Sequence, residues 1–310
     1  GRFADADVNP AALLKALDDI EQRVQYAVIG HEMGHSMGLR HNFVSSSDAF
    51  NYRPQYWQLR TRNGAVSQPC TDLVADGASC VGPRYFDPVT PEESSNLQPM
   101  FMHSSIMDYP GEFAQDLVGL GAYDFAAVRM FYGDVVGVYA DTGTYNTKSR
   151  AGRIALNKLS SFGGLVGWQY GVDAGGQSTV HYSQLQKEAK LISDCHEVDP
   201  AAFAPKNWNK DKLGNWSPLL DGLIVSVDGK ATRCRTQAQD YVPWTRLREA
   251  TTDEIARASS HGPAIDPDGR IRVATGFASD NRADIGNSAV FRHDNGADPY
   301  EQVSFLIAQT

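Results

Sequence analysis

Three histidines and a glycine in the segment HEMGHSMGLRH, residues 31–41, constrain this chain more than any other feature. His31 and His35 are four residues apart, so on a helix both imidazoles project from one face with a rise of about 6 Å. Gly38 allows the backbone to leave the helix in a conformation that other residues avoid. The chain can then turn back and bring His41 to the same point. The pattern predicts that three imidazoles converge at the carboxyl end of a helix.

These residues have the chemistry of a metal-dependent hydrolase. Three neutral nitrogen donors with one open coordination position suit catalytic zinc, whereas a structural zinc site is closed by a fourth protein ligand. Glu32 lies about 100° around the helix from His31, so it can contact a metal-bound water without ligating the metal. A helix with three unrelated histidines is the alternative, but chance gives this pattern in roughly one such chain in 20,000. We therefore predict His31, His35 and His41 as metal ligands and Glu32 as general base.

The residues before this motif are predicted to form a helix from Asn9 to Met37. Asn9 is a favourable N-cap, Pro10 suits the first helical position, and Gly38 is expected to follow the end. A break near residues 18–21, which would give two helices, is the alternative. Apolar residues recur every three or four positions and define one face, namely Leu13, Leu14, Leu17, Ile20, Val24, Ala27 and Val28.

The rest of the chain is predicted to be loop-rich, with an α+β fold class. Residues 42–103 carry repeated turn signals and are expected to be irregular. Gly121 to Phe131 predicts a helix, and the composition then becomes rich in Gly, Ser and Thr. We place a boundary near Asp134, which gives two domains, 1–133 and 134–310. The second is predicted to be mixed, with helices at Thr179–Ile192 and Thr252–Ala258 and strands at Leu223–Val227 and Ile271–Thr275.

The four cysteines limit the covalent cross-links. Cys70, Cys80, Cys195 and Cys234 can pair in three ways. We favour Cys70–Cys80 and Cys195–Cys234, because sequential pairing gives the shortest loops. Four reduced thiols are the alternative. The chain contains no C-x-x-C pair, which argues against a zinc ribbon or a thioredoxin-like motif.

Charge and hydropathy exclude several kinds of partner. The 28 basic and 37 acidic residues give a net charge of -9, which disfavours nonspecific binding to nucleic acid or to an anionic membrane. No apolar run approaches the length of a membrane span. The first ten residues, GRFADADVNP, contain neither an initiator methionine nor an apolar signal core. We therefore expect the chain to be an internal piece of a longer protein.

The motif resembles that of the metzincin clan of zinc metallopeptidases, and two further segments support the resemblance. SSIMDYP, residues 104–110, is similar to the clan's Met-turn, which implies that Met107 packs beneath the ligand imidazoles. By the same resemblance Tyr109 reaches the metal or stabilises the oxyanion; a structural tyrosine that bonds the backbone is the alternative. GAYDFAAVRMFYG, residues 121–133, is similar to the helix that closes metzincin catalytic domains.

A finer resemblance is to bacterial secreted zinc-dependent proteases of the Met-zincin group. GHEMGHSMGLRHNF and SIMDY carry it, and RHDNGADPYEQ, residues 292–302, adds to it. It implies one zinc ion, hydrolysis of protein or peptide substrates by a zinc-activated water, and an extracellular or bacterial cell-envelope location. A metzincin sheet precedes the zinc helix, but here the preceding residues predict helix. We therefore expect the sheet to lie upstream in a parent chain that the enzyme needs, and the apolar face from Leu13 to Val28 to be exposed.

Other interpretations stay open. The chain could be a zinc hydrolase of another amide class, or a binding module that keeps the metal without turnover. His103 could be a ligand or a specificity residue, although a polar loop histidine is favoured. An acidic cluster could bind calcium, but a solvated loop is favoured because the spacing matches no EF-hand. Its members are Asp280, Asp284, Asp294, Asn295 and Asp298.

Overall fold

The structure is a computed structural model whose described residues lie mostly in the first 139 positions. These are 10–46, 48–62, 65–66, 70, 80–82, 84, 87–109, 111 and 115–139. Beyond them the described residues form short segments. These are 153–155, 192–197, 223–227, 230–236, 239–243, 270–272, 275, 277, 279–280, 292–293, 295–296 and 299–309.

The helix α1 (Pro10–Ser36) carries the first part of the histidine motif and is continuous over 27 residues. The predicted single helix is therefore confirmed and the alternative of two helices is wrong. Gly38 follows the end of α1 with φ +83°, the left-handed conformation expected of a glycine there. Hydrogen bonds between side chains four residues apart span residues 18–21, where the alternative placed a break, and they stabilise the helix there. They join Asp18 to Gln22, Asp19 to Arg23 and Glu21 to Gln25.

Most of α1 has no cover in the described part of the chain. Its buried residues are Ala27, His31 and Gly34. Large apolar side chains stay between 39% and 67% exposed, namely Leu13, Leu14, Leu17, Ile20, Tyr26, Val28 and Ile29. The expected exposure of the apolar face is confirmed for Leu13, Leu14, Leu17, Ile20 and Val28, and it is wrong for Ala27, which is buried. Among the helices described, none combines the length and the apolar character that crossing a bilayer requires.

The region after α1 is more ordered than the sequence predicts. It contains the helices α2 (Pro54–Arg60) and α3 (Pro91–Ser95) and 3-10 turns at Ala49–Asn51, Gln98–Phe101 and Gln115–Val118. The prediction that all of residues 42–103 are irregular is therefore wrong. Pro54, Pro91 and Pro99, three of the prolines that suggested turns, stand at helix starts, where proline is favourable. The Thr90 and Glu93 side chains also form a capping box on α3.

A disulfide and a buried ionic network hold this region together. Cys70 and Cys80 are bonded as predicted. Arg84 is buried and donates from Nε to Glu301 Oε1 at 2.8 Å and from Nη1 to Glu93 Oε2 at 3.1 Å. Glu301 belongs to the C-terminal helix α5 (Pro299–Gln309). The network therefore fixes α5 against the α2–α3 region.

The helix α4 (Ala122–Gly133) confirms the helix predicted from residue 121 and extends two residues beyond its expected end. Asp124 accepts the backbone N–H of Gly121 at 2.8 Å and so satisfies a free donor at the start of the helix. Asp134 follows the helix in a left-handed conformation, with φ +52°. The ring of Tyr123 packs with Phe43 in a buried apolar cluster.

Antiparallel strands follow α4. They are β1 (Val135–Tyr139), β2 (Arg153–Ala155), β3 (Ile192–Glu197), β4 (Leu223–Val227), β5 (Lys230–Thr236), β6 (Gln239–Pro243) and β7 (Arg270–Arg272). Within the described residues β1 pairs with β6, β2 with β7, and β3, β5 and β4 form a three-stranded sheet in that order. β1 pairs Val135 with Pro243 and Tyr139 with Gln239.

Several of the helices and strands predicted for residues 134–310 can be compared with these observed strands. The strand at 223–227 is confirmed as β4, and the start of the strand predicted at 271–275 lies in β7. Thr275 is not in a strand, and residues 273–274 lie outside the described residues. The helix predicted at 252–258, and all of that at 179–192 except Ile192 in β3, lies outside the described residues. The side chains of Cys195 and Cys234 also lie outside them, although their strands pair. The domain boundary and the α+β class stay predictions.

Candidate metal centre

The three histidines of the motif meet at one point. His31 and His35 lie one turn apart on α1, and the turn at Gly38 returns the chain so that His41 faces them. The Nε2 atom of His41 is 3.0 Å from that of His35 and 3.2 Å from that of His31. Among the described residues, His31, His35 and His41 are the group whose ligand atoms lie close enough together to hold a metal ion. The predicted convergence of three imidazoles is therefore confirmed.

The second nitrogen of each ring faces a group that can only accept a hydrogen bond. His31 Nδ1 donates to the Ile106 carbonyl at 2.6 Å, and His35 Nδ1 donates to the Leu39 carbonyl at 3.0 Å. His41 Nδ1 lies 3.0 Å from each carboxylate oxygen of Asp280. Each neutral ring therefore carries its proton on Nδ1 and presents a lone pair at Nε2.

This arrangement fits a bound cation. The His41 lone pair is about 3 Å from each of the other two, and all three lie within 4.8 Å of one another, so they repel unless a positive charge lies between them. Nitrogens on a tetrahedral ion with bonds of about 2.0 Å are separated by about 3.3 Å, which is close to the observed spacing. Burial, together with the neighbouring His41 and His35 rings, lowers the pKa of His31 and favours its neutral, metal-binding form. The residues present thus fit a divalent metal of the type that imidazole prefers.

Met107 packs against the helix turn that separates the first two histidines. Its side chain is 1% exposed, and a Cβ atom added to Gly34 would overlap its sulfur. Only glycine at this position lets the methionine approach the backbone so closely. The predicted packing of Met107 beneath the imidazoles of His31, His35 and His41 is compatible with this position and stays a prediction.

The turn around Met107 is fixed by α4. Asp124 accepts the Ile106 backbone N–H at 3.0 Å and the Ser105 hydroxyl at 2.6 Å. The carbonyl of the same Ile106 receives the His31 Nδ1 proton. Asp124 thus holds the backbone of the residue whose carbonyl orients His31. The Met107 carbonyl in turn accepts the Asn42 backbone N–H at 2.8 Å, which ties the residue after the third histidine to the same turn.

The two predicted catalytic side chains lie beside the histidines. Glu32 is exposed on α1 and is close enough for its charge to act on His31. Tyr109 is half-buried, and its ring centroid lies 4.4 Å from that of His41 and 5.9 Å from that of His31. Both positions are compatible with the predicted roles of general base and oxyanion donor. The roles themselves stay predictions.

Asp280 is a site residue that the sequence did not reveal. It was expected in a solvated acidic loop, but its carboxylate receives the His41 Nδ1 hydrogen bond. Partial burial acts to raise its pKa, but the hydrogen bond and charge of His41 hold the pKa below its ordinary value. Asn295 of the same cluster is fully buried and accepts from Gln115 at 2.9 Å. The expectation of a solvated position is therefore wrong for Asn295, whereas the Asp280 side chain is 38% exposed and also pairs with His41. Asp284, Asp294 and Asp298 lie outside the described part.

Two neighbouring residues of the C-terminal region also reach the site. Arg292 Nη2 is 3.6 Å from Asp280 Oδ1, and the guanidinium carbon lies 5.8 Å from the centre of the Tyr109 ring. The ring of His293 stacks on Tyr109 with centroids 5.1 Å apart. The resemblance noted for residues 292–302 gave no role to these side chains. Spacing alone cannot locate contacts between positions so far apart in the chain.

His103 does not join the metal-binding group. It lies in a loop, as the favoured interpretation predicts, but it is only 1% exposed. Burial, with a contribution from the charge of Arg53, lowers the pKa of His103 to about 3, while the Met100 backbone acts in the opposite direction. His103 therefore stays neutral at physiological pH and is part of the buried interior.

Comparison of the chain with protein-family models, with curated proteins and with solved structures found no match. The functional assignment therefore depends on the geometry of the site and on the residues that build it.

Proposed function

We propose that this chain is a zinc-dependent endopeptidase of the metzincin type. The observation that carries the proposal is the convergence of three imidazole Nε2 atoms whose Nδ1 atoms all have acceptor partners. Such a set leaves one coordination position for substrate and water, as catalytic zinc sites do. Met107 against Gly34 and an exposed glutamate beside His31 are further features that a peptidase of this type requires.

The roles of the residues follow from their positions. When bound, zinc supplies Lewis acidity that polarises the scissile carbonyl and acidifies water. Glu32 takes the proton of the attacking water on its carboxylate and returns it to the leaving amine nitrogen. Tyr109 donates its hydroxyl proton toward the oxyanion that develops on the carbonyl oxygen. The reaction is hydrolysis of a peptide bond without a covalent intermediate.

The proposed setting is the cell exterior or a bacterial cell envelope, with proteins or peptides as substrates. The Cys70–Cys80 disulfide supports it, because such bonds persist in oxidising compartments. The negative net charge disfavours nucleic acid as a partner.

A peptide-cleavage screen tests the proposal. Zinc-loaded protein is incubated with a broad peptide library, with and without a zinc chelator, and cleavage must be lost with the chelator and return with added zinc. Stoichiometric zinc with hydrolysis only of non-peptide amides would indicate the alternative hydrolase. Stoichiometric zinc with no hydrolysis of either kind would indicate a binding module.

The variant Glu32→Gln tests the general base separately. We expect unchanged zinc content and a loss of peptide turnover of at least about 100-fold. Glu21→Gln, which makes the same charge change on the same helix, is the matched control and should keep full activity. Loss of zinc together with activity in Glu32→Gln would contradict the assigned role.

A further inference from the structure

The third histidine depends on a partner of a different kind from the other two. His31 and His35 belong to α1, and their Nδ1 protons go to backbone carbonyls. His41 lies beyond the helix, and its Nδ1 proton goes to the side chain of Asp280, 239 residues downstream. We infer that Asp280 is the positioning residue of the third metal ligand, and that Arg292 positions Asp280 in turn. This inference rests on the proposed metal centre.

A carboxylate at this place has two physical effects. It fixes the tautomer and the ring orientation of His41, because a carboxylate accepts only the Nδ1–H form and holds it along one direction. Its negative charge also makes the imidazole a stronger donor toward a cation. Removal of such a partner in metal sites weakens metal binding by about 10- to 100-fold. The effect of Asp280 is therefore on affinity and coordination geometry.

Asp280 is itself held in place from two sides. The Ser279 hydroxyl donates to Oδ2 at 3.2 Å, and Arg292 Nη2 lies 3.6 Å from Oδ1. The Arg292 guanidinium also lies over the Phe43 ring, at 5.5 Å, and Phe43 stacks on His41 at 5.3 Å. Arg292 thus contacts both the carboxylate and the ring that packs against the ligand.

The segments around Asp280 and Arg292 are anchored on the part of the chain that carries α1. Before Asp280, the buried Phe277 lies against the rings of Tyr123 and Phe131. After Arg292, the Gly296 backbone N–H donates to the Ser46 carbonyl at 3.3 Å. The buried Arg84–Glu301 pair then fixes α5. These contacts therefore hold the segments of Asp280 and Arg292 against the part of the chain that carries the three histidines.

Metal affinity of the whole chain tests the inference. Competition with a chromogenic chelator gives the zinc Kd of the parent and of Asp280→Ala, Asp280→Asn and Arg292→Gln. We expect Asp280→Ala to bind about 10- to 100-fold more weakly. Asp280→Asn should lose less, because its amide oxygen still accepts the Nδ1 proton, and Arg292→Gln should lose least. Asp19→Asn, an exposed site with the same charge change, is the control and should match the parent.

A second readout separates positioning from general stability. The cobalt-substituted protein should show a shifted visible spectrum in Asp280→Ala, while the melting temperature of the metal-free variant matches that of the metal-free parent. Parent-like affinity and spectrum in Asp280→Ala would overturn this inference and leave the proposed function intact. So would an affinity loss explained by an equal loss of stability in the metal-free state. Failure of the parent itself to bind zinc would overturn the proposed function as well.

Discussion

Replacing Gly34 by alanine tests whether Met107 packs against the helix turn that carries the metal ligands. The added methyl group would overlap the Met107 sulfur, and the methionine is buried with little room to move. Relief requires a strained rotamer of Met107 or a shift of α1. Overpacking of this kind costs about 1–3 kcal/mol. A shift of α1 would also move His31 and His35, so metal affinity should fall with stability.

Gly30 provides a matched control one turn earlier on the same helix. A Cβ atom added there meets nothing within 4 Å. Alanine is favoured over glycine in a helix interior by about 1 kcal/mol, and this gain is common to both substitutions. The difference in the free energy of unfolding between Gly30→Ala and Gly34→Ala therefore isolates the overlap, at about 1–3 kcal/mol.

The assay is urea unfolding of the metal-free proteins, followed by zinc competition. A double variant, Gly34→Ala with Met107→Ala, completes the cycle. Because the shortened side chain removes the sulfur, the cost of Gly34→Ala should disappear in that background, with a coupling of about 1–3 kcal/mol. Equal stability of Gly30→Ala and Gly34→Ala, or the absence of coupling, would refute the packing of Met107 described above.

Three further predictions concern other residues. His41→Ala should weaken zinc binding strongly in a competition titration, and parent-like affinity would place the third ligand elsewhere. Tyr109→Phe should lower kcat more than it changes KM, since an oxyanion donor acts in the transition state; unchanged kcat would leave Tyr109 a packing role. Burial raises the pKa of Asp116 to about 8, so between pH 6.5 and 8 the carboxyl is largely protonated when folded and ionised when unfolded, and unfolding releases its proton. The stability of the metal-free parent relative to metal-free Asp116→Asn should therefore fall by up to about 1.4 kcal/mol per pH unit over this range in urea unfolding, because the titration of His103 and other shared groups cancels in the difference.

The sequence predicted best what depends on neighbouring residues. The span of α1, the end at Gly38 and the meeting of His31, His35 and His41 all follow from spacings of three to six residues. The helix predicted from residue 121 has the same local origin. In each case a short periodic pattern determines which side chains share a face, and no distant contact has to be known.

Prediction failed where distant contacts decide the structure. The region between α1 and α4 looked irregular because proline and serine are ambiguous: they favour turns, but they also favour helix starts. Arg84 holds this region in place by bonding both Glu93 and Glu301. Glu301 is 217 residues from Arg84 in the chain. The burial of His103 was not foreseen, because no neighbouring residue in the sequence indicates it. The sequence shows that charged and polar residues of this kind are present, but it does not show which of them contact one another in the fold.

The metal centre shows how this limit affects one site. The acceptor for His35 is Leu39, four residues away, and lies inside the motif itself. The acceptor for His31 is Ile106, 75 residues away, in a segment that only the resemblance to a Met-turn made visible. The acceptor for His41 is Asp280, 239 residues away, in a segment where no pattern pointed to a metal. Because the orientation of all three rings would determine the coordination geometry of a bound metal, the motif alone specifies the proposed ligands, and residues far outside it hold their rings in position.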